Sequence, residues 1–237
     1  MAVSIAYLMN IFIPKSGEVS RAVVLSKYEG VPFDKGFGTI ISERVVDMIL
    51  LMTFTLIALF LQFDALYGYI TDNVPVKKII TALIALAVLG IIFLIFLKKS
   101  SGPFAMKIKV FVDGLKEGLL SIVKMKKKGL FVLHSLIIWG LYIASFYTAT
   151  LALEETSAIS AGVVIITFVV GSFTFAFTNS GFGFYPTAIM GILLVFGIAS
   201  DVGFALGWIV WTSNILSILF FGALSFLFLP IYNRNIS

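Results

Sequence analysis

The chain has no cysteine. Disulfides, thiolate metal sites and thiol nucleophiles are thereby excluded, while the compartment stays open. Histidine is almost missing as well: His134 is the single copy, and a lone imidazole at the start of an apolar run fits a structural role better than a catalytic one. No zinc spacing, no nucleophile–base–acid set and no glycine loop closed by lysine is present. Hydrolysis of a nucleotide would need another subunit, and neither an enzyme activity nor a cofactor or metal is expected. Charge is scarce too. Asp, Glu, Lys and Arg make up 12% of the 237 residues, where a soluble domain carries about 25% to wet its surface.

What fills the chain instead is hydrocarbon. Apolar residues account for 60% and the mean hydropathy is +1.09. A bilayer core about 30 Å thick takes roughly 20 apolar residues per helical span, and the sequence supplies several such runs. The fold class expected is all-α: a polytopic transmembrane helix bundle forming one integral membrane domain over residues 1–237. Spans are predicted at about 38–63, 79–97, 129–152, 159–178, 182–199 and 203–229, with 64–78, 153–158 and 200–202 as connectors. Residues 2–14 are apolar but too short to cross, so they read as a re-entrant piece or the tail of a helix; with no basic flank they do not read as a signal peptide. Segments 159–178 and 182–199 fit two full spans or two half-depth helices meeting near Asn179–Gly183, since both arrangements leave the neighbouring loops in place.

The basic residues are unevenly placed. Residues 98–128 hold nine lysines and no arginine, and within them Phe104, Ile108, Phe111, Leu115, Leu119 and Ile122 recur at helical spacing. An amphipathic helix over about 104–125, lying in the headgroup region, is predicted. With that segment in the cytoplasm, alternation puts 14 of the 17 Lys and Arg inside, only Lys77 and Lys78 outside, and Arg44 in a span. The chain then sits in the cytoplasmic membrane with a cytoplasmic C-terminus. Its net charge of +5 points to the anionic lipid surface at the cytoplasmic face, not to nucleic acid. Oligomerisation, or pairing with a membrane partner protein, is left open by the sequence.

Three clusters carry the chemistry. In Pro14-Lys15-Ser16-Gly17-Glu18-Val19-Ser20-Arg21, Glu18 and Arg21 stand three apart and share a helix face on which they can pair. In Ser42-Glu43-Arg44-Val45-Val46-Asp47, Arg44 and Asp47 are three apart, and Glu43 and Asp47 four. An arginine inside or just below the apolar boundary costs a few kcal/mol unless paired or hydrated; the plainer reading is a helix-end cluster that snorkels to the headgroups. The third cluster, Asn179-Ser180-Gly181-Phe182-Gly183-Phe184-Tyr185-Pro186, opens a new helix whose N-terminus would suit a phosphate. Its plainer reading is a tight turn between two helices. Gly203-x-x-x-Gly207 is a spacing that lets helices approach closely, and Trp139, Trp208 and Trp211 fit packing or interfacial anchoring.

Taken together, Asn10-x-x-x-Pro14-x-x-Gly17-Glu18-x-x-Arg21-Ala22, then Glu43-Arg44-x-x-Asp47, then Gly181-x-Gly183 before a helix resemble the lysylphosphatidylglycerol synthase transmembrane-region family, flippase-like membrane proteins of bacteria and archaea. Order and spacing match across nearly the whole chain. The resemblance implies a helical domain, often with re-entrant segments, that binds or translocates a membrane phospholipid with a polar or anionic head. The lipid-binding residues it implies are Glu18, Arg21, Glu43, Arg44, Asp47, Asn179, Gly181 and Gly183. The best-known members add a cytoplasmic aminoacyl transferase; no sequence for one occurs here, and the synthase activity is not carried over. Members usually carry about two further helices before the Asn-to-Pro segment, and tend to show Pro-Gly-Gly-x-Gly followed by Glu where this chain has Ser180-Gly181-Phe182-Gly183 and then Tyr185-Pro186. The reading from another class is a non-transporting subunit that scaffolds or regulates an envelope-lipid enzyme.

Overall fold

A computed structural model describes residues 1–73 and 127–234. The span predicted at 79–97 and the amphipathic helix predicted at 104–125 lie outside the described residues. Within these, every regular element is a helix: α1 (Ala2–Phe12), α2 (Gly17–Glu29), α3 (Phe33–Leu61), α4 (Phe63–Asn73), α5 (Lys128–Thr150), α6 (Glu154–Ser157), α7 (Ala161–Phe177), α8 (Phe184–Val195) and α9 (Ser200–Tyr232).

Among the described residues, three helices are long and apolar enough to cross a membrane: α3, α5 and α9, with 29, 23 and 33 residues. Their outward faces are unlike those of a soluble bundle. Met48, Leu56 and Phe60 on α3, Leu133 and Leu141 on α5, and Leu216, Phe220, Phe226 and Leu227 on α9 are all exposed. Contiguous apolar surface of this extent marks contact with lipid rather than water. The protein is an all-α membrane bundle.

The remaining apolar helices are short. α7 has 17 residues and α8 has 12, so at 1.5 Å per residue they run about 25 and about 18 Å. Of the two arrangements open for 159–199, α8 fits only the half-depth one. Two contacts fix its level. A Cβ on Gly203 would lie 3.0 Å from the Cα of Met190, and one on Gly207 would collide with the Cα of Pro186. α8 therefore runs antiparallel to α9 at backbone contact distance, which only glycine on α9 permits. Continuing that register sets Gly183 beside Val210, ten residues into α9, about 15 Å from its Ser200 end.

α1 and α2 form a second hairpin. Its tight turn is set by Asn10, whose side-chain oxygen accepts the Gly17 N–H at 2.8 Å, while any side chain on Gly17 would meet the Ala6 carbonyl. The hairpins enter from opposite ends of α3. α2 leads through a three-residue link into the start of α3, whereas the far end of α3 meets the start of α7, where Gln62 donates to the Ser160 hydroxyl at 3.4 Å.

One local expectation is corrected. Residues 64–73, predicted as part of a loop, belong to α4; Asp64 in the first turn favours the helix dipole, and Phe63 stacks on Tyr67 one turn later at 5.7 Å. The polar stretch after Pro14 is helical where Glu18 and Arg21 were expected on a helix, and α2 is stopped by Gly30 in the left-handed conformation (φ 64). The core lies where α3, α5, α7, α8 and α9 meet, around Phe146, Phe168, Ile189, Leu193 and Leu206.

Candidate functional site

The polar residues singled out above gather where the two hairpin tips approach each other. Lys15, at the tip of the α1–α2 hairpin, donates from Nζ to the Ala176 carbonyl at 2.8 Å. Ala176 is in the last turn of α7, so the ammonium caps free carbonyls at the negative end of that helix dipole. The tips also share an unusual backbone. Lys15 (φ 60) and Ser180 (φ 55) are the non-glycine residues with left-handed φ among the described residues, and each such residue costs roughly 1–2 kcal/mol.

Arg21 does not pair with Glu18. Its guanidinium forms a two-pronged ion pair with Glu43 on α3, Nη1 to Oε2 and Nη2 to Oε1, the latter at 3.0 Å. The reason is geometric: Arg21 faces α3, and a planar fork matches a carboxylate bidentately across two helices better than along one. Glu18, half-buried, has no partner among the described residues.

Arg44 makes the i,i+3 contact expected with Asp47, at 3.2 Å from Nη2 to Oδ2. Asp47 is also held from α5, where Trp139 Nε1 donates to Oδ1 at 3.1 Å. Trp139 lies eleven residues from each end of α5, or about 16 Å from either. Asp47 and Arg44 are therefore level with the middle of α5 rather than with either of its ends. Arg44 remains 47% exposed, and its other N–H donors have no partner among the described residues. A guanidinium carries five such donors. Near this cluster, the Tyr142 and Tyr7 hydroxyls meet at 3.3 Å, joining α5 to α1.

The third cluster is the tip of the α7–α8 hairpin. Gly181 and Gly183 both take φ 71, the left-handed region open to glycine. Gly181 N–H bonds the Thr178 hydroxyl at 3.1 Å, and the Ser180 carbonyl accepts from Trp211 Nε1 at 2.7 Å. Asn179 is exposed. The anion site expected at the start of α8 is reduced: Tyr185 gives its N–H to Gly181 O at 2.7 Å, and Pro186, in the same first turn, has none to give. Sequence reasoning missed Lys15, Trp139 and Trp211 as site residues. Lys15 was visible beside Pro14, but the bonds of all three cross 31 or more positions.

Long apolar helices that carry ion-paired arginines and carboxylates beside two short helical hairpins define a class: polytopic helical membrane proteins with charged groups among their apolar helices. The family model for the lysylphosphatidylglycerol synthase TM region matches residues 1–222, and the chain belongs to that family. It is a membrane protein tied to lipid handling. Comparisons with curated proteins and with solved structures give no match.

Proposed function

We propose that the chain is a flippase-like protein that binds a lipid with a polar or anionic head and moves it between the leaflets of the cytoplasmic membrane, its C-terminus in the cytoplasm, without transforming the lipid chemically. The observation that carries this reading is the pair of adjacent residues Glu43 and Arg44 on α3, each tied to a different opposite charge. A charge at this depth costs about 2.5–3.5 kcal/mol on insertion scales and more when isolated. Keeping two ion pairs there makes sense if they exchange partners with a passing headgroup. Arg21 and Arg44 then contact the lipid phosphate, while Glu43 and Asp47 hold those arginines in its absence. Glu18 meets a cationic group on the head, and the 179–183 break lines the path.

The test is translocation of headgroup-labelled phosphatidylglycerol in proteoliposomes, read by quenching of the outer leaflet. Arg44→Ala should lower the rate at least tenfold while the protein elutes as a folded species. Full activity in that variant removes Arg44 from the path. No movement by folded wild type, together with a stable membrane partner in pull-downs, favours the scaffolding subunit instead.

A further inference from the structure

Away from the hairpin tips, a groove of about 200 Å³ between α1 and α9 is lined by Ser4, Tyr7, Ser217, Ile218 and Phe221. Three of its five side chains are hydroxyls, although both walls belong to apolar helices. A water occupies about 30 Å³ in the liquid, so the groove has room for several. The Ser217 hydroxyl donates to the Ser213 carbonyl at 2.8 Å, which leaves its lone pairs free to accept. Gly222 holds the walls together: a Cβ there would lie 2.7 Å from Leu8 Cβ and 3.1 Å from the Ser4 carbonyl oxygen.

Tyr7 leads out of the groove toward the charges. Its hydroxyl meets that of Tyr142 on α5 at 3.3 Å. One hydrogen is used between the two phenols, and the other is left for a further acceptor. Tyr142 stands one turn from Trp139, the rings edge-on at 6.5 Å, and Trp139 holds Asp47. The Tyr142 hydroxyl is within electrostatic reach of both Asp47 and Arg44. Groove, Tyr7, Tyr142 and Asp47 thus follow one another in space.

The other ionisable groups around Asp47 among the described residues are few. On its own helix Glu43 is committed to Arg21 of α2, by a two-pronged pair; α2 also carries Glu18. On α5, His134 is bound to the Leu130 carbonyl, and α7, packed along α3, carries no ionisable side chain. Asp64 and Tyr67 of α4 lie beyond the far end of α3. Asp47 is therefore the carboxylate whose counter-charge, Arg44, rides a half-exposed and mobile side chain. When Arg44 leaves, an uncompensated charge remains among apolar helices, and taking up a proton neutralises it.

We propose that Asp47 is a proton-coupling site, loaded from water in the α1–α9 groove by way of Tyr7 and Tyr142. As Arg44 turns to an anionic headgroup, the spare tyrosine hydrogen, directly or through one water, takes its place on the carboxylate. Each phenol accepts a proton and passes its own on. Water loses one proton, Asp47 gains one, and neither tyrosine changes charge. The return of Arg44 expels the proton. This rests on the lipid reading above and adds its driving force, a proton gradient, since linkage between headgroup and proton is reciprocal.

The proton site is tested without lipid movement. Full-length protein in phosphatidylcholine nanodiscs is followed by infrared absorption of the carboxylic acid carbonyl. Arg44→Gln should show a protonated Asp47 at neutral pH, absent from Arg44→Gln/Asp47→Asn, whereas Arg44→Lys keeps the counter-charge and should show none. After a pH jump the band in Arg44→Gln should grow at least tenfold more slowly once Tyr7→Phe is added. In proteoliposomes, an imposed pH gradient should speed phosphatidylglycerol translocation by wild type at least threefold, and Tyr7→Phe should lose that acceleration. A missing Asp47 band in Arg44→Gln, or a rate unchanged by Tyr7→Phe, would overturn the proposal. Translocation indifferent to the gradient would also overturn it and leave the transport reading intact. A Tyr7-dependent Asp47 band with no lipid movement would uphold the proton site and defeat the transport reading.

Discussion

Asp47 accepts the indole hydrogen of Trp139 at 3.1 Å across 92 positions of sequence. The tryptophan cannot easily follow a moving carboxylate. It is buried, stacked on Phe54 at 5.6 Å and set edge-on against Phe168 at 6.1 Å. Asp47 is therefore the fixed member of its ion pair, and Arg44, half-exposed on a long side chain, is the member free to swing. A charge pair with one rigid and one mobile partner can release the mobile one without disordering the helix that carries both.

This asymmetry predicts unequal effects for substitutions on either side of the bond. Trp139→Phe keeps most of the ring packing and removes the donor. It should cost about 0.6–1.7 kcal/mol, the range of interhelical hydrogen bonds measured within membranes, read as a shift in reversible unfolding in mixed micelles. Asp47→Asn leaves Arg44 without its counter-charge and should slow lipid translocation far more than Trp139→Phe does. Equal transport defects in the two variants would mean that Asp47 only supports Trp139.

Arg21 and Glu43 make a second, stricter case. Each is partly buried, and each is the only charged group paired with the other among the described residues. Removing either alone strands a charge, a loss of about 3–5 kcal/mol where the pair is fully buried. With 20% and 32% of these side chains exposed, Arg21→Met and Glu43→Leu should each cost less than that, while the double variant should recover much of the loss, because no charge is left unpaired. The same double variant should be unable to move lipid. Additive destabilisation in the cycle would show that the pair does not interact in the folded protein.

The contrast between these pairs explains how far the chain could be read without its structure. Composition and hydrophobic runs place α3, α5 and α9 well, since a long apolar helix is a local property with a strong signal. The Arg44–Asp47 contact was legible for the same reason: both residues ride one helix, three apart. Arg21 was assigned the wrong partner because nearest-neighbour spacing knows only its own helix, and Glu43 lies across a turn on another. The depth of the cluster was equally hidden. It became evident only through Trp139, which links Asp47 to the middle of α5. Residues 64–73 differ from the predicted loop because, apart from Gly68, they carry no glycine or proline and wind into a helix.

The Gly203-x-x-x-Gly207 spacing marks a close helix approach, and the surface approached is the backbone of α8 at Met190 and Pro186. Gly207 lies against the Pro186 backbone so tightly that a methyl there would overlap its Cα. Backbone atoms of a proline in the first turn of α8 have little room to yield. Gly207→Val should therefore push α8 away from α9, at a cost in the range of about 1–3 kcal/mol for overpacking. The displacement would be largest at the 178–183 tip, because Trp211, one turn from Gly207, holds the Ser180 carbonyl at 2.7 Å. Gly203→Ala meets Met190 at 3.0 Å and lies toward the outer end of α8, farther from the tip. It should cost less stability and leave lipid translocation nearly intact. Unfolding midpoints and lipid translocation rates of the two variants, measured side by side, check both halves: a Gly203→Ala effect as large as that of Gly207→Val would show that the tip is not positioned through Pro186.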